Sequence, residues 1–582
     1  MIKHTKTIIA STLYVALALF LQLHSAFHLF FLEQKQLFLF GKDACLETVS
    51  QVGGGAVYMA QFLNQFFIYP YAGAIITATL LMLVAILMQR ILEKIAPNHP
   101  LYLLYYLPPL ALLMLHFNFN YFMQGTLAFL LMELAILGCL KIKSLKVRSV
   151  VLGFTVPLLF WVAGPISNLF ALSFWLVVLF TKQTHAHRYL LLVVESVLIS
   201  IASVYFAYVG SFSLAFLPDS YYQPKLVPDS ILYYAWGLFI AVIAAGYWIV
   251  KLQPWQGKRL FVSISIQAII LIILFAKGVS MYDDAKSYPI KKLDYHARMQ
   301  NWDEIQKLSQ GKLSNLLYMN YLNLALAEKG ILAQKAFTYD QRGAFALQVK
   351  SNKTTHVFAL LSDIYFSMGD IYIAQQQAFE GNQSEVRRGN PHLWKRLIQT
   401  NLIIGAYPVA EKYITMLEKS LYYADWATDQ RRFLYNDKAV EADPLLGSKR
   451  KCLPSINNLS KINSHAEDLR KIAEANPHAT QAIEYLGCQY LFTKDLKSFE
   501  QLVVDYYGTP VLPQLPQSFQ EAWIAVNEKD PSRCKAFGVS PQNMGQFKAY
   551  RSYLIKNKSA RNIKNLIAQS YGHTYWYYLM FK

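Results

Sequence analysis

Long apolar runs dominate the first 277 residues and constrain the fold more than any other feature. A helix needs about 20 mostly apolar residues to cross a bilayer, and nine runs approach or reach that length. The first, Ile8–Phe31, has no small-residue cleavage site and is predicted to be an uncleaved anchor. The other eight are predicted at Tyr71–Met88, Leu101–Phe117, Phe122–Leu140, Ser149–Ala163, Ile166–Phe180, Tyr189–Gly210, Ile231–Val250 and Leu260–Ala276.

Two of these runs flank the short stretch "AGPIS" (Ala163–Ser167). This stretch fits two spans that meet in a tight turn, and it also fits one broken helix pair. The sequence leaves both alternatives open, so the count of nine spans depends on it.

Charge divides the chain into two parts. Charged residues are 16% of the sequence, against about 25% in soluble domains, and only eight of the 36 acidic residues precede Gly278. The sequence therefore predicts a transmembrane helical domain over residues 1–277 and a water-facing domain over residues 278–582.

The cations predict how the chain is oriented, because Lys and Arg in short loops stay on the cytoplasmic side. With a cytoplasmic N-terminus, inner segments such as Lys141–Arg148 and Lys251–Arg259 carry thirteen cations, and the outer loops carry only Lys35, Lys42 and Lys225. Nine spans then place residues 278–582 on the periplasmic side of a bacterial inner membrane. This topology accounts for much of the net charge of +19, and no nucleic-acid partner is expected.

The first outer loop, Leu32–Pro70, is the longest and carries three carboxylates: Glu33, Asp43 and Glu47. One interpretation is a catalytic acid or base at the membrane surface, and the simpler one is solvated loop charge. Its second half, Val57–Tyr69, has aromatic residues at helical spacing and predicts a helix in the membrane interface.

Other outer turns supply candidate binding residues on the outer face, and membrane lipid is an expected partner of the chain. Asn118 and Asn120 lie in a turn without any cation, and Asp219 and Asp229 lie in a long loop with two "PDS" turns.

No metal or cofactor is predicted. The five cysteines form no CxxC pair, and His24 and His28 lack a third ligand. Whether Cys452, Cys488 and Cys534 include a disulfide stays open.

A repeated pattern marks the water-facing domain. Phe358, Leu361, Tyr365, Gly369 and Ala374 follow a spacing that recurs 36 residues later and, less completely, from Ile483, where Lys494 and Phe499 replace the small residues. Large residues fill the seam of two antiparallel helices and small ones let the helices approach. The region resembles the tetratricopeptide class. The predicted fold is therefore all-α, a transmembrane bundle followed by a helical solenoid that binds a protein or peptide.

Two resemblances extend beyond single motifs. With "GGGAVYMAQFLNQFF" in the first loop and "HTYWYYLMF" near residue 580, the chain resembles an uncharacterised bacterial family of multi-span proteins with an appended helical repeat. That resemblance implies no activity. The membrane part also resembles glycosyltransferases that use polyprenyl-phosphate sugars. Those enzymes have an acidic residue soon after the first span, and Glu33 and Asp43 occupy comparable places in this chain.

Two functions are therefore expected. The first is a scaffold or assembly factor of the cell envelope that presents the helical repeat outside the cytoplasm. The alternative is a glycosyltransferase that uses a lipid-linked sugar at the outer leaflet. No residue set in the sequence assigns a reaction, so whether the chain is an enzyme stays open.

Overall fold

The computed structural model describes residues 2–97, 101–183, 185–250, 257–386, 388–454 and 465–582. Over these ranges the chain is helical without any strand, and only two isolated bridges pair backbone across loops. The chain divides into two compact units, Met1–Tyr288 (unit 1) and Pro289–Lys582 (unit 2). The predicted all-α class is confirmed, while the membrane location of unit 1 stays a prediction.

Unit 1 is built from twelve α-helices in the described residues, most of them strongly apolar. Their bounds are α1 Ile2–Glu33, α2 Lys42–Val49, α3 Gly54–Asn64, α4 Ala72–Ile95, α5 Leu107–Leu115, α6 Gln124–Lys141, α7 Leu145–Ala163, α8 Ile166–Phe180, α9 Leu190–Tyr205, α10 Phe212–Phe216, α11 Ile231–Val250 and α12 Gly257–Tyr282.

Each of the nine predicted spans coincides with helix. Among the described residues, seven helices are long and apolar enough to cross a membrane, and two apolar helices, Leu104–Leu115 and Ile166–Phe180, are shorter. The predicted run Tyr189–Gly210 was too long, since its helix ends at Tyr205. The helices of unit 1 are thus compatible with a membrane protein.

Helix α12 leaves its apolar surface almost entirely outside the packed core. Only 6% of the most apolar 18-residue stretch of this helix is buried. Phe261 and Ile272 are 74% and 66% exposed. An apolar face of this size is unfavourable in water. A lipid environment removes that cost.

Glycine geometry explains two loop motifs of unit 1. Helices α7 and α8 meet in a two-residue turn at Gly164, whose φ of 75° is left-handed, and whether both helices cross a membrane stays a prediction. Gly53 (φ 77°) begins α3, and its amide donates to the Trp161 carbonyl at 2.8 Å. A Cβ on Gly54 would lie 2.0 Å from the Thr48 carbonyl oxygen. The glycine run therefore lets the α2–α3 loop pack on the end of α7.

The helix predicted over Val57–Tyr69 is α3 followed by a 3-10 turn, Gln65–Ile68. It packs against α6 and α7, with Ala56 and Ala60 fully buried. Its location in a membrane interface remains a prediction.

Unit 2 consists of shorter helices. Their bounds are α13 Tyr288–Arg298, α14 Trp302–Leu308, α15 Leu316–Glu328, α16 Leu332–Lys335, α17 Thr355–Met368, α18 Ile371–Ser384, α19 Pro391–Ile404, α20 Tyr407–Leu417, α21 Ala424–Gln430, α22 Asp437–Ala442, α23 Leu446–Arg450, α24 His465–Ala475, α25 Thr480–Thr493, α26 Leu496–Tyr506, α27 Gln517–Val526, α28 Pro531–Ala536, α29 Pro541–Lys556, α30 Ile563–Tyr571 and α31 Tyr575–Phe581.

The repeated pattern corresponds to three pairs of packed helices: α17 with α18, α19 with α20, and α25 with α26. Gly369 and Gly405 end the first helix of the first two pairs with left-handed φ values of 93° and 84°. In the third pair Lys494 takes the same conformation (φ 59°), which costs a non-glycine residue about 1 kcal/mol. The degenerate motif therefore has the same backbone turn although lysine stands in place of glycine.

A charged cluster joins α17 to α19. The Asp363 carboxylate accepts hydrogen bonds from His392 Nε2 and from an Arg396 terminal nitrogen, each at 2.9 Å. The Arg396 guanidinium also lies over the Phe366 ring, 3.6 Å from its centroid. Burial alone would raise the pKa of Asp363, but His392 and Arg396 outweigh it and lower that pKa to about 2.

Helix α31 lies inside the core of unit 2. Tyr575 and Trp576 are fully enclosed, and the Trp576 indole nitrogen donates to the Glu521 carbonyl at 2.7 Å. The aromatic residues near position 580 are therefore core residues. The five cysteines are free thiols, and Cys452, Cys488 and Cys534 are buried.

Candidate functional sites

The three carboxylates predicted in the first long loop lie in different surroundings. Glu33 ends α1 and is 4% exposed, whereas Asp43 and Glu47 are exposed on α2. Of the three carboxylates, only Glu33 is therefore buried in the way expected of a catalytic base in a water-excluded site. Asp43 and Glu47 match the simpler interpretation, solvated loop charge.

Beside the end of α1, polar side chains surround a small cavity of about 10 Å³. Lys35, Gln36, Asn64 and His116 all line it, and they are all buried. Over the described residues, both polar atoms of the Gln36 carboxamide and the Asn64 Oδ1 lack a hydrogen-bond partner. A cavity of about 10–15 Å³ with several polar partners has room for one water molecule, so its size suits water and excludes a sugar.

The Lys35 side chain crosses this region to the loop after α5. Its Nζ donates to the Phe119 carbonyl at 2.9 Å and lies 4.9 Å from the centroid of the Phe119 ring. A buried ammonium at this position adds positive charge to the end of α1.

The candidate binding residues Asn118 and Asn120 join two loops. The Asn118 Nδ2 donates to the Tyr222 hydroxyl at 2.8 Å, and the Asn120 carbonyl accepts from the Gln223 amide at 2.9 Å. A bridge between Tyr121 and Tyr222 lies alongside. The two loops therefore come together as one layer, in which both asparagines are partly buried.

Asp219 and Asp229 lie on the second of these loops. Asp219 Oδ1 accepts a hydrogen bond from the Tyr233 hydroxyl at 2.7 Å. Burial raises the pKa of Tyr222; its hydrogen bond from Asn118 opposes that shift and the nearby Asp229 carboxylate adds to it. In this structure Asn118 and Asn120 join the two loops and Asp219 holds Tyr233. A role of the four residues in binding stays a prediction.

Unit 2 has an opening of about 1380 Å³ along the paired helices α17–α20, which we call the groove. Small-molecule pockets are about 300–1,000 Å³, so the groove suits an elongated ligand. Its lining combines aromatic rings with carboxamides: Phe345, Tyr365, Tyr372, Phe379, Tyr413, Gln348, Gln375, Gln376, Asn401 and Gln489.

Several apolar side chains of the groove are open to solvent. Phe345 is 44% exposed, Phe379 50% and Val409 44%. Carboxamides beside them offer donors and acceptors together, and the Gln348 carboxamide already donates to the Tyr365 hydroxyl. The arrangement can hold a neutral chain that has its own amide groups and apolar side chains.

The charges of the groove nearly balance. Lys350 faces the same space as Glu380 and Asp468, and His465 adds an imidazole. No strong field of one sign therefore selects a highly charged ligand. The sequence showed which helices pair, but the groove escaped prediction because it depends on how successive pairs stack.

Comparison with known proteins gives a family and no activity. No curated protein matches the chain, and no solved structure matches it. One family model matches residues 1–582, that is, the whole sequence with both units. The predicted membership of an uncharacterised family is thereby confirmed: the chain belongs to the family of unknown function DUF6057.

Proposed function

We propose that this protein is a membrane-anchored scaffold of the bacterial cell envelope, whose unit 2 lies in the periplasm and binds an extended polypeptide segment of another envelope protein in the groove. The observation that carries the proposal is the groove itself, about 1380 Å³ and lined by carboxamides and exposed aromatic rings. Backbone amides of an extended segment pair with carboxamides, and its apolar side chains contact Phe345, Phe379 and Val409.

The parity of the spans supports the periplasmic placement. Seven long apolar helices, or nine with the two shorter ones, are an odd number in both cases. With a cytoplasmic N-terminus, an odd number of crossings exports unit 2. The count of nine also keeps Lys141–Arg148 on the cytoplasmic side, as the distribution of Lys and Arg requires.

The placement predicts which positions an impermeant reagent reaches. In a Cys45→Ser background, a cysteine at Ser559 is expected to react with a membrane-impermeant maleimide in cells whose outer membrane alone is permeabilised, because Ser559 is exposed in unit 2. A cysteine at Lys146, exposed at the start of α7, is expected to react only after the inner membrane is opened. The reverse pattern would contradict the periplasmic placement.

Binding in the groove is testable by site-specific photo-crosslinking. Benzoylphenylalanine at Phe379 or Val409 in the full chain is expected to give the same discrete protein adduct in cells. At Ile555, which is 67% exposed on α29 and does not line the groove, no such adduct is expected. A Gln376→Arg change should weaken the adduct by about tenfold or more, since it adds charge among the carboxamides. Equal adducts at all three positions, or none in the groove, would contradict the proposal.

A second candidate function is sugar transfer from a polyprenyl phosphate, and one observation favours it: the carboxylate of Glu33 is buried at the end of α1, near the buried cation Lys35. In this proposal Glu33 takes the proton of an acceptor hydroxyl, whose oxygen bonds to the anomeric carbon of the sugar as the bond from that carbon to the phosphate oxygen breaks. Lys35 stabilises the departing lipid phosphate. The water-sized cavity there must open to admit the donor.

Purified full-length protein assayed with radiolabelled polyprenyl-phosphate sugars tests this candidate. Glu33→Gln is expected to lower transfer about 100-fold or more, the range of general acid–base catalysis. Glu47→Gln, on exposed α2, should change transfer by less than about twofold. Wild-type protein without transfer, or equal loss in both variants, would remove the glycosyltransferase proposal.

A further inference from the structure

Three potential ligand side chains converge at one end of the groove. Asp370 caps α18 in the turn after α17, and His465 and Asp468 lie one turn apart at the start of α24. One ligand atom from each residue lies within 4.8 Å of the other two. The set joins parts of the chain that no local sequence motif connects.

The Asp370 carboxylate is half-satisfied. Its Oδ1 accepts a hydrogen bond from the Ile373 amide at 3.1 Å. Its Oδ2 is buried and has no hydrogen-bond partner among the described residues, and the residue is only 6% exposed. Burial of an unpartnered carboxylate oxygen is costly, and a cation at this point would remove the cost.

Among the residues that the structure describes, no neighbouring side-chain cation fills that role for Asp370. Lys471 lines the small cavity that Asp370 and Asp468 also line, but its Nζ pairs with Glu467 at 3.3 Å. The positive charge of Lys471 also favours the ionised form of the Asp468 carboxylate and so opposes the rise in its pKa. The oxygen of Asp370 that lacks a partner therefore points to an exogenous ion.

We propose that Asp370, His465 and Asp468 bind a divalent transition-metal ion of the Zn²⁺ or Mn²⁺ type. Two carboxylate oxygens and one imidazole nitrogen suit these ions, whereas Ca²⁺ prefers six to eight oxygens. The ligands of a tetrahedral Zn²⁺ lie about 3.4 Å apart for bonds of about 2.1 Å, so the ion draws the three side chains closer together.

The ion has two consequences for unit 2. It ties α24 to the turn between α17 and α18, and it lies beside the groove, which His465 and Asp468 also line. Its remaining coordination positions accept water or a ligand oxygen. The site does not depend on whether the groove binds a polypeptide.

The site is tested by measuring the metal content of the full-length protein in detergent. The protein carries an affinity tag without histidine, because a histidine tag would itself bind Zn²⁺. After chelator treatment and dialysis against Zn²⁺, wild-type protein is expected to retain about one Zn²⁺ per chain by mass spectrometry of the metal. His465→Ala and Asp468→Asn are expected to lower this at least fivefold. Both residues are partly exposed, so these variants disturb folding less than a change at Asp370, which also caps α18.

The matched control is His478→Ala, because His478 is exposed two residues before the start of α25 and should keep full metal content. Zn²⁺ should also raise the thermal midpoint of wild type and His478→Ala by several degrees, and Ca²⁺ should not. Equal zinc in wild type and His465→Ala, or no zinc in wild type above the level in Asp468→Asn, would overturn the proposal.

Discussion

Trp576→Ala is expected to destabilise unit 2 by about 3–5 kcal/mol, as large-to-small changes of buried aromatic residues do. Trp576 is 1% exposed, and its ring lies 5.2 Å from Phe547 and 5.7 Å from Tyr550, centroid to centroid. Alanine would leave a cavity and remove the hydrogen bond from the indole to the Glu521 carbonyl.

Thermal unfolding of the full-length protein in detergent, with limited proteolysis to report on unit 2, would measure this effect. Met580→Ala is the matched control, because Met580 lies on the same helix and is 51% exposed. It should shift the midpoint of unit 2 by about a degree or less. A similar shift in both variants would show that α31 is not part of the core.

Asp363→Asn is expected to lower the unfolding free energy of unit 2 by about 3 kcal/mol, since it leaves the positive charge of Arg396 largely buried without its partner. The side chains of Asp363 and Arg396 are only 17% and 13% exposed. Asp429→Asn is the control: its partner Arg432 lies 3.4 Å away, both side chains are more than half exposed, and exposed pairs contribute about 0–1 kcal/mol.

The same cluster predicts acid sensitivity. The pKa of Asp363 is lowered to about 2 from 3.8, so the folded state binds this proton less readily than the unfolded chain. Its contribution, about 2 kcal/mol, is present above pH 4 and is lost as the pH falls from about 4 to about 2. Unfolding midpoints measured across that window should fall less steeply for Asp363→Asn than for wild type. Parallel pH profiles would refute the assignment.

Hydropathy and periodicity predicted most of the helices because both signals are local. Nine apolar runs became helices, and the glycines at 369 and 405 ended helices where the repeat pattern placed them. Lys494 shows the limit of the pattern. Its position carries lysine where the pattern has glycine, yet the backbone is left-handed there and α25 packs against α26.

The sites were less predictable because their parts are far apart in the sequence. Asn118 contacts Tyr222 across 104 positions, and no spacing rule links Asp370 to His465. Glu33 and Asp43 looked equivalent in the sequence, but only the structure separates a buried carboxylate from a solvated one. Burial and long-range pairing arise from tertiary packing, which a single sequence does not specify locally.

The position of α31 also determines when unit 2 can fold. The Tyr578 hydroxyl accepts a hydrogen bond from the Gly343 amide, 235 residues earlier, and its ring packs 5.0 Å from that of Phe337. Since synthesis proceeds from the N-terminus, the apolar surface around Phe337 stays uncovered until residue 578 has been made and delivered to the same compartment. Such non-local closure is slow. The core of unit 2 therefore closes only after α31 has been made.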